Sequence, residues 1–270
     1  MTGRERPIVT LLTDFGEGSY VASVKGVLLS ITRSIQIVDI THSLMMGDVG
    51  PAGYVLSNTS RYFPPGTIHL AVVDPGVGMD RLPLIVRADG HYYVGPDNGL
   101  FGDVLRTAVE VNAFHVREEK WLAERISPTF HGRDLFAPVA ARLAGGVDPG
   151  DLGDEIATAD LIPSPIPTPI RTRDELTGQV VWADSFGNLM TNLTQGMVEE
   201  WCGDDPYQVV LGWERIRNRI RTFQDTSKGN LAFLFGSWNT LEVVVSEGSA
   251  ATRLGVSIGE PVRLERVVAG

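Results

Sequence analysis

The sequence predicts an α/β protein in two parts, a largely parallel sheet flanked by helices followed by a small antiparallel barrel or sandwich. Three observations predict it. Up to residue 160, strand-like apolar runs alternate with runs of helical spacing, the pattern of βαβ units whose helices cover a sheet. Residues 161–170 read LIPSPIPTPI, and prolines cannot supply the N–H groups that a helix interior or a central strand needs. Beyond that stretch, short β-rich runs are separated by turn residues, as in small antiparallel β folds. The expected division is an N-terminal domain over residues 1–160, an extended linker over 161–172 and a C-terminal domain over 173–270.

The elements follow in order. PIVTLLTDF opens as a strand. SYVASVKGVLLSI sets Val21, Val24, Val27, Leu28 and Ile31 at helical spacing, with Ser19 as candidate N-cap. IQIVDI is a strand, residues 48–61 a helix and TIHLAVV a buried strand. LPLIVRADGHYYVG reads as a hairpin turning at Asp89-Gly90. RDLFAPVAARLAGG is a helix closed by Gly145 and Gly146. After the linker, GQVVWADS, YQVVLG, IRNRIRTF, NLAFLF, TLEVVVS and EPVRLERVV read as strands.

Composition narrows the function. The 270 residues are 43% hydrophobic, enough for a substantial core, and the net charge is −10. Such a chain repels phosphate backbones, so nucleic acid is not an expected partner, and no basic run suits a membrane surface. No apolar stretch approaches the length of about 18 residues that spans a bilayer. MTGRERPIVT is polar before its first strand, so no secretory leader is expected. Cys202 is the single cysteine. That excludes an intrachain disulfide or a cysteine-rich metal site and fits a reducing, cytoplasmic setting.

Polar residues gather where apolar runs stop. Asp14 follows IVTLL. Asp74 follows HLAVV, and the chain turns through Pro75, Gly76 and Gly78 to Arg81. Asp97 and Asn98 lie in GPDNG, and His131 lies in TFHGRD. Ligands of open α/β sheets bind at the carboxyl ends of strands, and glycines let a backbone or ligand approach closely. A shared site is therefore expected, against the plainer reading of each Asp as a turn former. No phosphate-binding glycine motif is present, and an acid after the first strand suits hydroxyls such as a ribose diol. Asp14, Asp74 and Asp97 together are a candidate Mg²⁺ set, which would make the protein a metal-dependent nucleotide or phosphoester hydrolase. His42, His69, His91 and His115 are expected to be structural. In the second domain, Asp184 and Asn188 flank the aromatic-Gly turn of DSFGNLMTN, either as an ordinary β-turn or as acceptors for an ammonium group. GSWNTLEVVVSEGSAA supplies Ser237, Glu242 and a small-residue loop at 248–251 that lets backbone groups reach a flat ring.

LLTDFG, DITHS, VVDPGVGMDR, GPDNGL, TFHGRD, DSFGNLMTNL and LEVVVSEGSAA occur in the order and spacing of the S-adenosylmethionine hydroxide adenosyltransferases, relatives of fluorinase and chlorinase. The chain resembles that family over nearly its whole length. The resemblance implies an α/β domain joined to a C-terminal β-barrel. It also implies a homotrimer with substrate held between the N-terminal domain of one subunit and the C-terminal domain of its neighbour. The implied reaction is attack of water or hydroxide on the ribose C5′ of S-adenosyl-L-methionine, giving adenosine and L-methionine, with no cofactor or metal. The family's Asp–Arg–His set falls on Asp74, Arg81 and His131. Halide-using relatives resemble one another instead in an aromatic residue where Asp74 stands. Asp14 matches a ribose-diol ligand, Asp184 and Asn188 match ligands of the methionine amino group, and Ser237 resembles a carboxylate ligand. Phe186 and Phe223 would stack on adenine, and the loop near Ala250 would meet its edge. One departure follows THS, where Gly47 replaces an aromatic residue and Met45 or Met46 is the candidate to fill the gap; GSWNT also replaces a Ser-x-Gly turn.

The chemistry agrees with that reading. A sulfonium leaves as a neutral thioether, so no general acid is needed, and the difficulty is to place and deprotonate a weak nucleophile. An arginine beside Asp74 makes that carboxylate an orienter, and His131 is the group best matched to proton transfer near neutral pH; the base stays open among the three. A non-catalytic adenosine or S-adenosylmethionine binder and a halide adenosyltransferase are the remaining alternatives. Because wholesale removal of S-adenosylmethionine is wasteful, a damaged form such as the wrong sulfonium epimer is a candidate substrate.

Overall fold

The computed structural model describes residues 6–117 and 127–267; the opening MTGRE, part of the stretch read as lacking a leader, lies outside them. Among the described residues no helix is long and apolar enough to cross a membrane. The chain forms two compact units, Met1–Pro165 and Ile166–Gly270, and the division falls inside the proline-rich stretch.

The first unit is built on a seven-stranded sheet. Its strands are β1 (Ile8–Thr13), β2 (Gln36–Thr41), β3 (Ile68–Val72), β4 (Pro83–Ala88), β5 (His91–Pro96), β6 (Val111–Val116) and β7 (Gly153–Ile156), in the spatial order β2-β1-β3-β5-β4-β6-β7. The neighbours β2, β1, β3 and β5 are parallel. From there the sheet continues antiparallel through β4, β6 and β7. The sheet is thus parallel in one half and mixed as a whole. The cause is the two-residue turn Asp89-Gly90, whose φ values of 45° and 81° give the primed turn that matches strand twist and joins β4 to β5 without a crossover helix.

Among the described residues, α-helices α1 (Ser19–Ile31), α2 (Val49–Ser60), α3 (Gly102–Thr107), α4 (Ala137–Ala144) and α5 (Pro149–Leu152) accompany this sheet. Alternate residues of a strand face opposite sides of the sheet. Val9, Leu11, Ile68, Leu70 and Val72 therefore share one core with Val24 and Leu28 of α1 and with Leu135, Phe136, Val139, Ala140 and Leu143. Thr10 and His69 face the other side, where Thr10 Oγ1 lies 2.8 Å from His69 Nδ1, and His69 Nε2 lies 3.2 Å from His91 Nδ1. Burial, then His91, hold the His69 pKa down to about 3, so both imidazoles act as neutral core hydrogen-bonders. Ser19 is not an N-cap. Gly18 takes that position at φ 138°, a conformation L side chains avoid, and Ser19 is already helical.

The helix predicted from RDLFAPVAARLAGG starts differently from its pattern. Gly132–Phe136 form a π-helical turn that passes into α4. Pro138 has no N–H to give the carbonyl four residues back, so the ladder cannot run as a regular α-helix through this point. The C-terminus closes as predicted: Gly146, at φ 90°, gives its N–H to Leu143, and the Val147 N–H reaches Arg142, the two bonds of a Schellman closure.

The second unit is an eight-stranded antiparallel sheet. It comprises β8 (Ile170–Arg171), β9 (Glu175–Ala183), β10 (Leu189–Thr194), β11 (Tyr207–Leu211), β12 (Glu214–Ile216), β13 (Leu231–Phe235), β14 (Thr240–Val245) and β15 (Pro261–Arg266). The order is β12-β11-β15-β9-β10-β14-β13, with β8 on β9. Phe233 bonds back to Asn218 and Ile220, bringing the two ends of the sheet together into a nearly closed barrel. IRNRIRTF is not a strand: only Ile216 belongs to one. Its arginines are exposed, while Ile216 at the end of β12 and Ile220, against Ala232, Leu234 and Val244, are buried; beyond Ile216 the segment follows the edge of β13 by one parallel bridge at Arg219–Phe233. Helices α6 (Gln195–Cys202) and α7 (Ala250–Leu254) start at Thr194 and Ser249, whose hydroxyls accept from Met197 and Thr252. The sole cysteine, Cys202, is buried.

Candidate active site

Three elements of the first unit bring Asp74, Arg81 and His131 together. Asp74 follows β3, Arg81 precedes β4, and His131 is the residue before the π-helical turn. Two successive turns, Val77 to Asp74 and Met79 to Gly76, fold the loop back on itself. Gly78, at φ 78°, has no room for a Cβ, which would lie 2.7 Å from the Pro128 carbonyl oxygen. On the other side, a Cβ at Gly132 would meet the Phe15 ring at 3.0 Å, so that glycine lets the turn carrying His131 approach the TDFG loop.

The arginine is the centre of the trio. Its Nε donates to Asp74 Oδ1 (3.2 Å) and Oδ2 (3.0 Å), and Nη2 donates to Asp74 Oδ2 (2.6 Å) and to His131 Nδ1 (2.6 Å). The side chains of Arg81 and Asp74 are only 8% and 4% exposed, and the guanidinium lies 5.2 Å from the Phe136 ring centre. A guanidinium has donors and no acceptor. The His131 Nδ1 facing it must therefore present a lone pair, and the neutral ring carries its proton on Nε2.

Asp14 stands beside this group at the end of β1. Its Oδ2 accepts the Gly47 N–H at 2.8 Å, and Gly47 sits at φ 79°. That explains the departure after THS: the position supplies a backbone donor to Asp14 in a conformation that favours glycine. Met45 and Met46 are 70% and 92% exposed, so neither fills the gap within this unit. Asp97 serves the fold. Its N–H goes to Leu82, its carboxylate accepts from Ile162 at 3.0 Å, and burial raises its pKa. Asn98 ties the same loop to Val73. Among the described residues, no group of three or more His, Cys, Asp or Glu side chains is arranged to hold a metal, so Asp14, Asp74 and Asp97 do not form the Mg²⁺ set weighed above.

In the second unit a cavity of about 970 Å³ is lined by Asp184, Phe186, Asn188, Phe223, Ser237 and Glu242, with Met190 and Leu234 among its apolar walls. Asp184 serves the turn, the plainer of the two roles considered for it. Its Oδ1 accepts from the N–H groups of Phe186 and Asn188, and its Oδ2 from Asn188 Nδ2 at 2.9 Å, while the same side chain borders the cavity. Asn239 takes φ 57°, the left-handed position that glycine fills in a Ser-x-Gly turn. Ala250 is fully buried at the start of α7 and does not line the cavity; Ser246, Glu247 and Gly248 line that side. Sequence reasoning missed Met190 and Leu234, which are visible only once the strands are paired, and Phe136, whose place under Arg81 follows from the π-helical turn.

Burial, then the charge of Asp184, push the Glu242 pKa up to about 7. Between its ordinary value near 4.5 and about 7, the native state thus holds a proton that the unfolded chain has lost, and stability falls as pH rises through that window. Glu242→Gln should remove this contribution: in thermal melts, its stability relative to the wild type should increase from about pH 4.5 to about pH 7 and level off above.

Residues 9–153 match the family model described as the SAM hydroxide adenosyltransferase N-terminal domain, and residues 178–263 match the corresponding C-terminal domain. A protein of Thermus thermophilus named (R)-S-adenosyl-L-methionine hydrolase is 38% identical over 268 residues, covering 96% of this chain and 99% of the relative. Another of that name from Salinispora tropica is 36% identical, covering 96% and 97%. The crystal structure of an uncharacterized conserved protein from Thermotoga maritima superposes with a TM-score of 0.89 at 31% identity, covering 96% of this chain and all of the other.

Proposed function

The chain belongs to the SAM hydroxide adenosyltransferase family, and from that premise we propose that it hydrolyses (R)-S-adenosyl-L-methionine to adenosine and L-methionine by attack of water on the ribose C5′. The observation that carries the reading is the partly buried Asp74–Arg81–His131 cluster at the carboxyl end of β3, 2.6 Å at its closest contacts. The water oxygen forms a bond to C5′ as the C5′–S bond breaks, and the electron pair stays on sulfur, giving the neutral thioether of methionine. One water proton has to leave. The guanidinium has no lone pair, and the single lone pair of His131 Nδ1 is engaged by Arg81; Asp74 also accepts from Arg81, but a carboxylate has lone pairs to spare, so it is the member of the trio with acceptor capacity to take the proton. Arg81 holds Asp74 and His131 at fixed positions about the water.

Asp14 receives the ribose hydroxyls in this proposal. Asp184 and Asn188 receive the methionine ammonium group, Ser237 its carboxylate, and Phe186 and Phe223 flank adenine, with the backbone of residues 246–248, which lines the cavity just before the buried Ala250, at the adenine edge. The homotrimer with shared sites, the cytoplasmic setting and independence from metal belong to the same proposal; a leaving group that departs neutral gives a metal no charge to stabilise. Incubation with the substrate should release adenosine and methionine in equal amounts, unaffected by EDTA. Activity lost to EDTA and restored by Mg²⁺, or no adenosine over hours at micromolar protein, would overturn it.

A further inference from the structure

We propose that Glu242 is a specificity-determining residue which joins Asp184 in a two-carboxylate receptor for the α-ammonium group of the substrate. This rests on reading the cavity of the second unit as the methionine end of the site. Glu242 lies on β14 between Leu234 of β13 and Met190 of β10, and all three side chains of this cross-strand row line the cavity. The carboxylate is packed against Gly236, where any Cβ would overlap it, so the sequence leaves room for an acid at that point.

Glu242 is 7% exposed, and its carboxylate has no hydrogen bond or ion pair among the described residues. Burying an acid without a partner is costly, and such a group in a native protein calls for an explanation. The charges around it supply no cation. Asp184, on the turn after β9, spends its oxygens on that turn's own N–H groups and Asn188. On the rim, Lys228 is bound to Glu247 at 2.9 Å. The facing residues of β10 and β13, Met190 and Leu234, are apolar. A cavity with two inward carboxylates and apolar walls suits a ligand whose ammonium group sits on a short aliphatic chain, which is the chemistry of an amino-acid tail on a nucleoside sulfonium or thioether. Because burial and Asp184 together raise its pKa to about 7, Glu242 would give up its proton as the ammonium group arrives.

Two probes separate this role from a general one: S-adenosylhomocysteine, which carries the ammonium group, and 5′-methylthioadenosine, which lacks it. By calorimetric titration at about pH 8, Glu242→Gln should weaken the first by about tenfold or more and the second by less than about twofold. With the wild type, affinity for S-adenosylhomocysteine should rise from about pH 6 to about pH 8, with proton release on binding, while 5′-methylthioadenosine stays flat. Equal losses for both probes, no loss for either, or a flat wild-type profile would overturn the proposal. Wild-type protein that binds neither probe and forms no adenosine would overturn the reading of the site, and the receptor with it. Melting of the variant shows that it folds, and the wild-type pH profile needs no variant.

Discussion

Asp74→Asn should lower the rate of adenosine formation by about 10³-fold while changing the affinity for S-adenosylhomocysteine little. The substitution keeps the size of the side chain and one carbonyl acceptor for Arg81, but it removes the anionic oxygen that takes the water proton in the proposed reaction. A positioned proton acceptor contributes roughly 10²–10⁴ in rate. Single-turnover measurement with pre-bound substrate reads the chemical step alone. The same variant should also be less stable, because Arg81, 8% exposed, keeps its charge and loses its counter-ion. Breaking a buried pair from one side typically costs about 3–5 kcal/mol. A rate within a few-fold of wild type would remove Asp74 from the mechanism, whatever the melting temperature.

Arg81→Lys separates charge from geometry. Lysine keeps the positive charge beside Asp74, so the stability loss should be near 1 kcal/mol, well below that of Asp74→Asn. It cannot reproduce the planar fork that meets both Asp74 oxygens and His131 Nδ1 at once. The rate should fall by about 10²-fold, because misplacement by about 1 Å can cost that much in an aligned displacement. Near-wild-type turnover in this variant would mean that the positive charge alone is sufficient and that the hydrogen-bonded arrangement is incidental.

Much of this was legible in the sequence, for identifiable reasons. The strands β1 and β3 and the helix α1 show as apolar runs, because each buries residues in the same core, against which the Ile37 side chain of β2 packs partly buried. Asp14, Asp74, Arg81 and His131 showed as polar residues at the ends of such runs, with glycines beside them. The antiparallel half of the first sheet was less visible. VNAFHV on β6 mixes polar and apolar residues, and GDEI on β7 has little apolar character, so their pairing comes from tertiary context. The π-helical turn could not be read, since its sequence carries a helical pattern and only Pro138 hints at the interruption. IRNRIRTF misled because its isoleucines and arginines are spaced as in a half-buried strand and both isoleucines are indeed buried, yet the ladder ends at Ile216 and only one isolated bridge, Arg219–Phe233, follows. Glu242 was visible as an acid inside the apolar run TLEVVV. Its isolation is a property of three paired strands and the turn at Gly236, which sequence alone does not assemble.

The most direct measurement is the fate of oxygen during a single turnover in ¹⁸O-labelled water. If a water held by Asp74, Arg81 and His131 attacks C5′, one ¹⁸O atom will appear in the 5′-hydroxyl of the adenosine formed, and methionine will carry none. Adenosine with unlabelled 5′-oxygen, or labelled methionine, would contradict attack at that carbon and the account built on it.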